Sequence, residues 1–107
     1  MIKYGSDHIT ELVFRDMSAR IELRDGGQWV DIEIRFALDP GTPAPEDLID
    51  LTALVICTAG GAIAQIVPQD EGIDCEYQFT ASEKEQLRQF VESGPIQAAI
   101  AEAAARR

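Results

Sequence analysis

Catalysis needs side chains that converge, so the residues able to carry protons, attack a substrate or hold a metal come first. His8 is the only histidine and stands beside Asp7. A lone imidazole in a polar segment reads as a surface group rather than a general base. Cys57 and Cys75 are the only thiols. A Cys57–His8 nucleophile pair is conceivable, but the apolar neighbours of Cys57 would raise a thiol pKa and suppress attack. Two cysteines eighteen apart match no zinc-finger spacing, and one histidine makes no His-based metal triad. Both cysteines are expected to be free, buried thiols.

Two acidic groups could attract a divalent cation: Asp47 with Asp50, and Asp70 with Glu71 and Asp74. The second lacks EF-hand spacing, and the first suits the positive end of a helix starting near Pro45. Gly60-Gly61 is followed by no Gly-Lys-Ser/Thr and makes no phosphate loop. The expectation is a protein with no catalytic residue, no metal and no cofactor.

Trp29 is more informative. Its parity in a predicted strand groups it with Asp31 and Glu33, on the sheet face turned away from the core. A single Trp beside acids there has the character of an interface anchor. Cover for the hairpin, stacked on Arg24, is the simpler account. Trp29, Asp31, Glu33, Asp74 and Glu76 form the candidate partner-binding set.

The elements that must position these residues are legible to different degrees. Met17, Ala19, Ile21 and Leu23 alternate with polar residues, as do Val30, Ile32, Ile34, Phe36 and Leu38. With Asp25-Gly26-Gly27 between them, the two runs predict a hairpin over 17–38. An Asp25-Gly26 turn sets Ile21 opposite Val30 and Arg20 opposite Asp31. A Gly26-Gly27 turn sets Glu22 against Asp31, a like-charge pair, so the first register is preferred. A second alternating run, Ile73, Cys75, Tyr77 and Phe79, predicts a strand over 73–79.

Asp47 to Val67 is the longest apolar run. It reads either as two strands joined at Gly60-Gly61 or as one helix. Asp47, Asp50, Thr58, Gly61 and Gln65 fall on one helical line, Pro45 suits a helix start and Pro68 a stop. A buried helix over about 46–66 is therefore expected, returning the chain by a right-handed crossover to a strand parallel to 28–38. Acids at both flanks, and Asp50 and Gln65 within, argue against a membrane span. Thr80 and Ser82, each with Glu three residues on, form overlapping capping boxes. They open a helical segment over about 82–105, broken at Ser93-Gly94-Pro95. The predicted fold is α+β: a small, mostly antiparallel sheet (hairpin 17–38 plus strand 73–79) covered on one face by the central and C-terminal helices.

The 107 residues suit one domain, 1–107, and 46% hydrophobic with 26% charged residues is a globular composition. MIKYGSDHITE lacks the apolar core of a signal peptide, so the expected location is the cytoplasm. The net charge of −10 is concentrated in residues 39–92, which hold eleven acids and two bases. Such a field repels phosphate backbones and disfavours direct nucleic-acid binding. It suits a basic protein surface, although solubility alone also accounts for it. The functional expectation is a small, acidic, non-catalytic protein-binding module, inhibitor or immunity-type, docking on a basic surface of a partner protein. Two alternatives stand beside it. One is a structural subunit forming homo-oligomers through the C-terminal helix, residues 96–105. The other is an enzyme or small-ligand binder with an acidic site.

Overall fold

The computed structural model describes residues 1–24 and 26–106. In chain order the elements are β1 (Ile2–Lys3), β2 (Phe14–Leu23), β3 (Trp29–Leu38), β4 (Leu51–Thr58), β5 (Ile63–Asp70), β6 (Ile73–Asp74), β7 (Tyr77–Gln78), α1 (Ala81–Val91) and α2 (Gly94–Ala105). The fold is α+β. Strands β2 to β6 form one antiparallel meander in sequence order, and β1 pairs with β7 in a separate two-stranded sheet. Both helices follow the last strand.

The predicted helix over 46–66 is instead the β4–β5 hairpin, so the parallel crossover is absent and the main sheet is larger than expected. The turn lies at the glycines. Thr58 N–H donates to Ala62 C=O at 2.8 Å, Gly61 N–H donates to Thr58 C=O at 2.9 Å, and Gly61 takes φ +94. A three-residue loop with glycine in the left-handed position is a standard hairpin connection. The flanking Thr52, Val55, Ile56, Ile63, Ile66 and Val67 are β-branched and fit a pleated strand better than a helix. Helical spacing of the polar residues was coincidental. β4 is apolar on both faces: Ala53, Val55 and Cys57 are buried inside, while Leu54 and Ile56 are half-buried outside. Its period of two is therefore invisible in the sequence.

The β2–β3 hairpin forms as expected, but in the other register. Ile21 lies opposite Ile32, Arg20 opposite Glu33 and Glu22 opposite Asp31. The Glu22–Asp31 opposition is relieved diagonally, because Arg24 Nε reaches Asp31 Oδ1 at 2.7 Å. The turn assigned to Asp25-Gly26 involves Asp25, which lies outside the described residues. Gly26 and Gly27 both take positive φ, +87 and +69. β2 also extends back to Phe14 across an irregularity at Asp16, whose φ is +52.

The predicted 73–79 strand is two short strands in different sheets. Glu71 and Gly72, at φ +52 and +78, make a two-residue turn that folds Ile73–Asp74 onto β5. Continuing that ladder would bring Cys75 opposite Pro68, which has no N–H to donate. The chain leaves β5 there, and Tyr77–Gln78 pairs with β1. Ile73 is accordingly exposed and Phe79 buried.

The helices close the inner face. Val30, Ile32, Ile34, Ala53, Val55 and Cys57 form one buried cluster with Leu87, Val91, Ile100, Met1, Leu12, Phe14 and Phe79. Ile32 and Ile34 are fully buried as expected, though under α1 and α2, while Ile21 is half-buried. Thr80 caps α1. Glu83 N–H donates to its hydroxyl at 3.3 Å and Thr80 N–H donates to the Glu83 carboxylate at 2.8 Å, a capping box. Pro95 opens α2. Among the described residues, no helix is long and apolar enough to cross a membrane.

Candidate functional site

Both helices lie on the inner side of the main sheet, so its other face has no helical cover. Register places Trp29, Asp31 and Glu33 of β3 beside Thr58, Ile56 and Leu54 of β4 on that outer face. Leu54 and Ile56 continue onto Val67 and Gln65 of β5. The centre of the face is thus an aliphatic band, Leu54, Ile56 and Val67, all half-buried. Trp29 stands at one end, 40% exposed. A shallow concavity of about 310 Å³ lies over Leu54, walled by Arg20, Glu33 and Gln69.

The acids of the candidate set separate into three cases. Asp31 and Glu33 are half-buried and ion-paired, Asp31 to Arg24 at 2.7 Å and Glu33 to Arg20 at 3.5 Å and Arg35 at 3.4 Å. Asp74 shares the outer face through its pairing with Gln69, whose amide donates to it at 3.1 Å. Glu76 lies outside the main sheet, exposed, its backbone carbonyl accepting from Tyr4 N–H at 2.9 Å. The face is therefore a lattice of alternating charges on β2 and β3 beside an aliphatic centre, not a uniformly acidic one. Trp29, Asp31 and Glu33 lie in line on β3, Asp74 shares their face from the far end of the sheet, and Glu76 does not. The aliphatic band escaped sequence reading because its residues were assigned to a helix. The β-branched run Thr52, Val55, Ile56 was the signal that could have placed it.

The other candidates have structural partners. Asp47 accepts from Tyr77 Oη at 2.6 Å and Lys3 Nζ at 2.9 Å, and Asp50 pairs with Arg35 at 3.3 Å. Asp70 accepts the N–H groups of Ile49 and Asp50, at 2.9 and 2.7 Å. Among the described residues no three His, Cys, Asp or Glu are placed to hold a metal ion. His8 is exposed. Cys57 is fully buried, and burial pushes its thiol up to about 11. Cys75 is half-buried and also raised, first by burial. In α2, Ile100 is buried and Ile96 packs on the core, so the apolar stripe of residues 96–105 is turned to the chain's own sheet.

Sequence reading found the Thr80–Glu83 capping box but not the use made of its carboxylate. Glu83 is fully buried and accepts from the Met1 ammonium at 2.6 Å, Leu12 N–H at 2.8 Å and Thr80 N–H at 2.8 Å. The Met1 ammonium also donates to Thr10 C=O. Oε2 holds the N-terminal segment on α1 and Oε1 completes the capping box, which makes the group structural.

No family model, curated protein or solved structure matches this chain.

Proposed function

We infer that the protein is a non-catalytic protein-binding module, of inhibitor or immunity type, whose recognition surface is the outer face of the β2–β6 sheet. One observation carries this reading: a sheet face without helical cover presents Trp29 and the band Leu54, Ile56 and Val67 between the acids Asp31 and Glu33 on one side and the amides Gln65 and Gln69 on the other. An apolar centre with a polar rim is the anatomy of an interface. The net charge of −10 favours a partner with a basic surface and speeds its approach. Asp31 and Glu33, already paired to arginines, orient a docked partner more than they attract a distant one.

The test is to recover a partner with the wild-type chain and titrate it against variants. Trp29→Ala is expected to weaken binding by about 2 kcal/mol, as loss of an interface anchor does, with thermal melting unchanged. Affinity that survives Trp29→Ala, Asp31→Asn, Glu33→Gln and Asp74→Asn together would remove this face from consideration. A collapse of melting temperature in Trp29→Ala alone would make the indole a packed structural residue instead.

A further inference from the structure

β2 is an edge strand, paired among the described residues with β3 and with no other strand. Arg24 N–H donates to Trp29 C=O at 3.0 Å. The backbone groups of Arg24, and by alternation those of Glu22, Arg20 and Ser18, therefore face β3. Those of Ala19, Ile21 and Leu23 face outward, and among the described residues no backbone partner reaches them. The irregularity at Asp16 ends this template on one side and the β2–β3 turn ends it on the other. Residues 18–24 between them contain no proline and no bulge. Such an edge invites another strand unless it is blunted. Its inner side leaves Ala19, Ile21 and Leu23 half-buried at the margin of the core.

We propose that a second copy of this chain adds to this edge, β2 against β2 and antiparallel about a two-fold axis, joining two five-stranded sheets into one. Charge selects both the occupant and the register. With Ile21 opposite its own copy, Arg20 faces the partner's Glu22, and the two-fold repeats that pair. Ser18 then faces the partner's Arg24, and Ala19 the partner's Leu23. Centring on Glu22 opposes it to itself and Arg20 to the partner's Arg24, and centring on Arg20 opposes Arg20 to itself and Ser18 to the partner's Glu22, so neither register contains a directly opposed pair of opposite charges. Centring on Ala19 or Leu23 runs the ladder into the Asp16 irregularity or the turn. A slip of one residue would turn apolar faces against polar ones. One register survives, and it is self-complementary, as an isologous contact requires.

Assembly stops at two copies because the far side of the sheet is blunted. β6 is two residues long, the β4–β5 register shifts at Ala64, and Pro68 offers no N–H to the open side of β5. The association does not rest on the outer-face reading.

The experiment is sedimentation of the full chain over a concentration series. The expected wild-type species has twice the chain mass. Arg20→Glu, which puts two carboxylates where Arg20 and the partner's Glu22 met, should weaken the dimer at least about tenfold. Arg20→Glu with Glu22→Arg should restore it, and circular dichroism establishes that each variant is folded. Ile21→Cys should form an interchain disulfide on oxidation, since hydrogen-bonded opposite residues sit about 5.5 Å apart at Cα, within disulfide range. Ala19→Cys should not, because Ala19 faces the partner's Leu23. A wild-type chain that stays monomeric up to about 1 mM overturns the proposal. So does a dimer that Arg20→Glu leaves intact, or one in which Ala19→Cys crosslinks as readily as Ile21→Cys.

Discussion

Glu83 ties the N-terminal segment to the start of α1. Its carboxylate is buried and answers one ammonium and two backbone N–H donors. Glu83→Gln keeps the shape but removes the negative charge, leaving the Met1 ammonium buried without a counter-charge. Breaking a buried pair in this way is expected to lower stability by about 3–5 kcal/mol, read by denaturant titration. Thr52 presents the opposite case. It is 2% exposed and its hydroxyl has no hydrogen-bond partner among the described residues. Thr52→Val keeps the β-branched shape and removes the unanswered oxygen, so stability should rise by about 1 kcal/mol. A fall would show that the hydroxyl is satisfied by solvent. Cys57, raised to about 11 by burial, should resist a thiol reagent in the native state. Rapid stoichiometric labelling there without denaturant would restore the nucleophile reading.

Turns decide the elements, and two glycines that are neighbours in sequence should respond very differently to substitution. A Cβ at Gly61 would collide with Gln97 Oε1, at φ +94. Gln97 cannot move aside freely, because its amide donates to Gly61 C=O at 3.2 Å and Val91 C=O at 3.0 Å, tying the hairpin to α2. Gly61→Ala is expected to lower stability by about 2–3 kcal/mol in thermal melts. Gly60→Ala, which meets nothing closer than Thr58 Oγ1 at 3.8 Å, should change it little. The same contrast explains what was legible in the sequence. Alternation exposed the β2–β3 hairpin, the faces of its strands and hence the side on which Trp29, Asp31 and Glu33 stand. Capping chemistry at Thr80 and Pro95 marked both C-terminal helices. The register failed because a directly opposed Glu22–Asp31 pair was weighed without Arg24 on the diagonal. The β4–β5 hairpin failed because a strand apolar on both faces has no visible period, and with it went the aliphatic centre of the candidate site.

At the scale of the whole molecule, titration should bracket stability from both sides. The Asp47 carboxyl is held below its ordinary 3.8 by the Tyr77 hydroxyl and then by Lys3, and Asp39 is lowered by Arg15. Glu85 is held below 4.5 by Arg88. These lowered groups contribute fully above their ordinary values, and the contribution is lost as pH falls through the folded ones. Tyr77 is raised from 10.0 and Lys3 from 10.5, each first by its hydrogen bond with Asp47. Their contribution is full below those values and lost as pH rises through the folded ones. Melting temperature should therefore be level between about pH 5 and 9 and fall at either end. Asp47→Asn should soften both arms, since Asp47 anchors the two raised groups. If only the acid arm changes, Lys3 and Tyr77 are held by other neighbours. The contacts between the two ends of the chain also set an order of events during synthesis. The β2 to β6 meander pairs only sequence neighbours and can form as each strand emerges. Ile2 and Lys3 must wait for Gln78 and Tyr77, and the Met1 ammonium for Glu83, which lies 82 residues later. At about 5–20 residues per second, a translating ribosome leaves Met1, Ile2, Lys3 and Leu12 without these late partners for roughly 4–16 s. Met1 and Leu12, fully buried at the end, are apolar side chains that the nascent chain exposes from the outset and covers last.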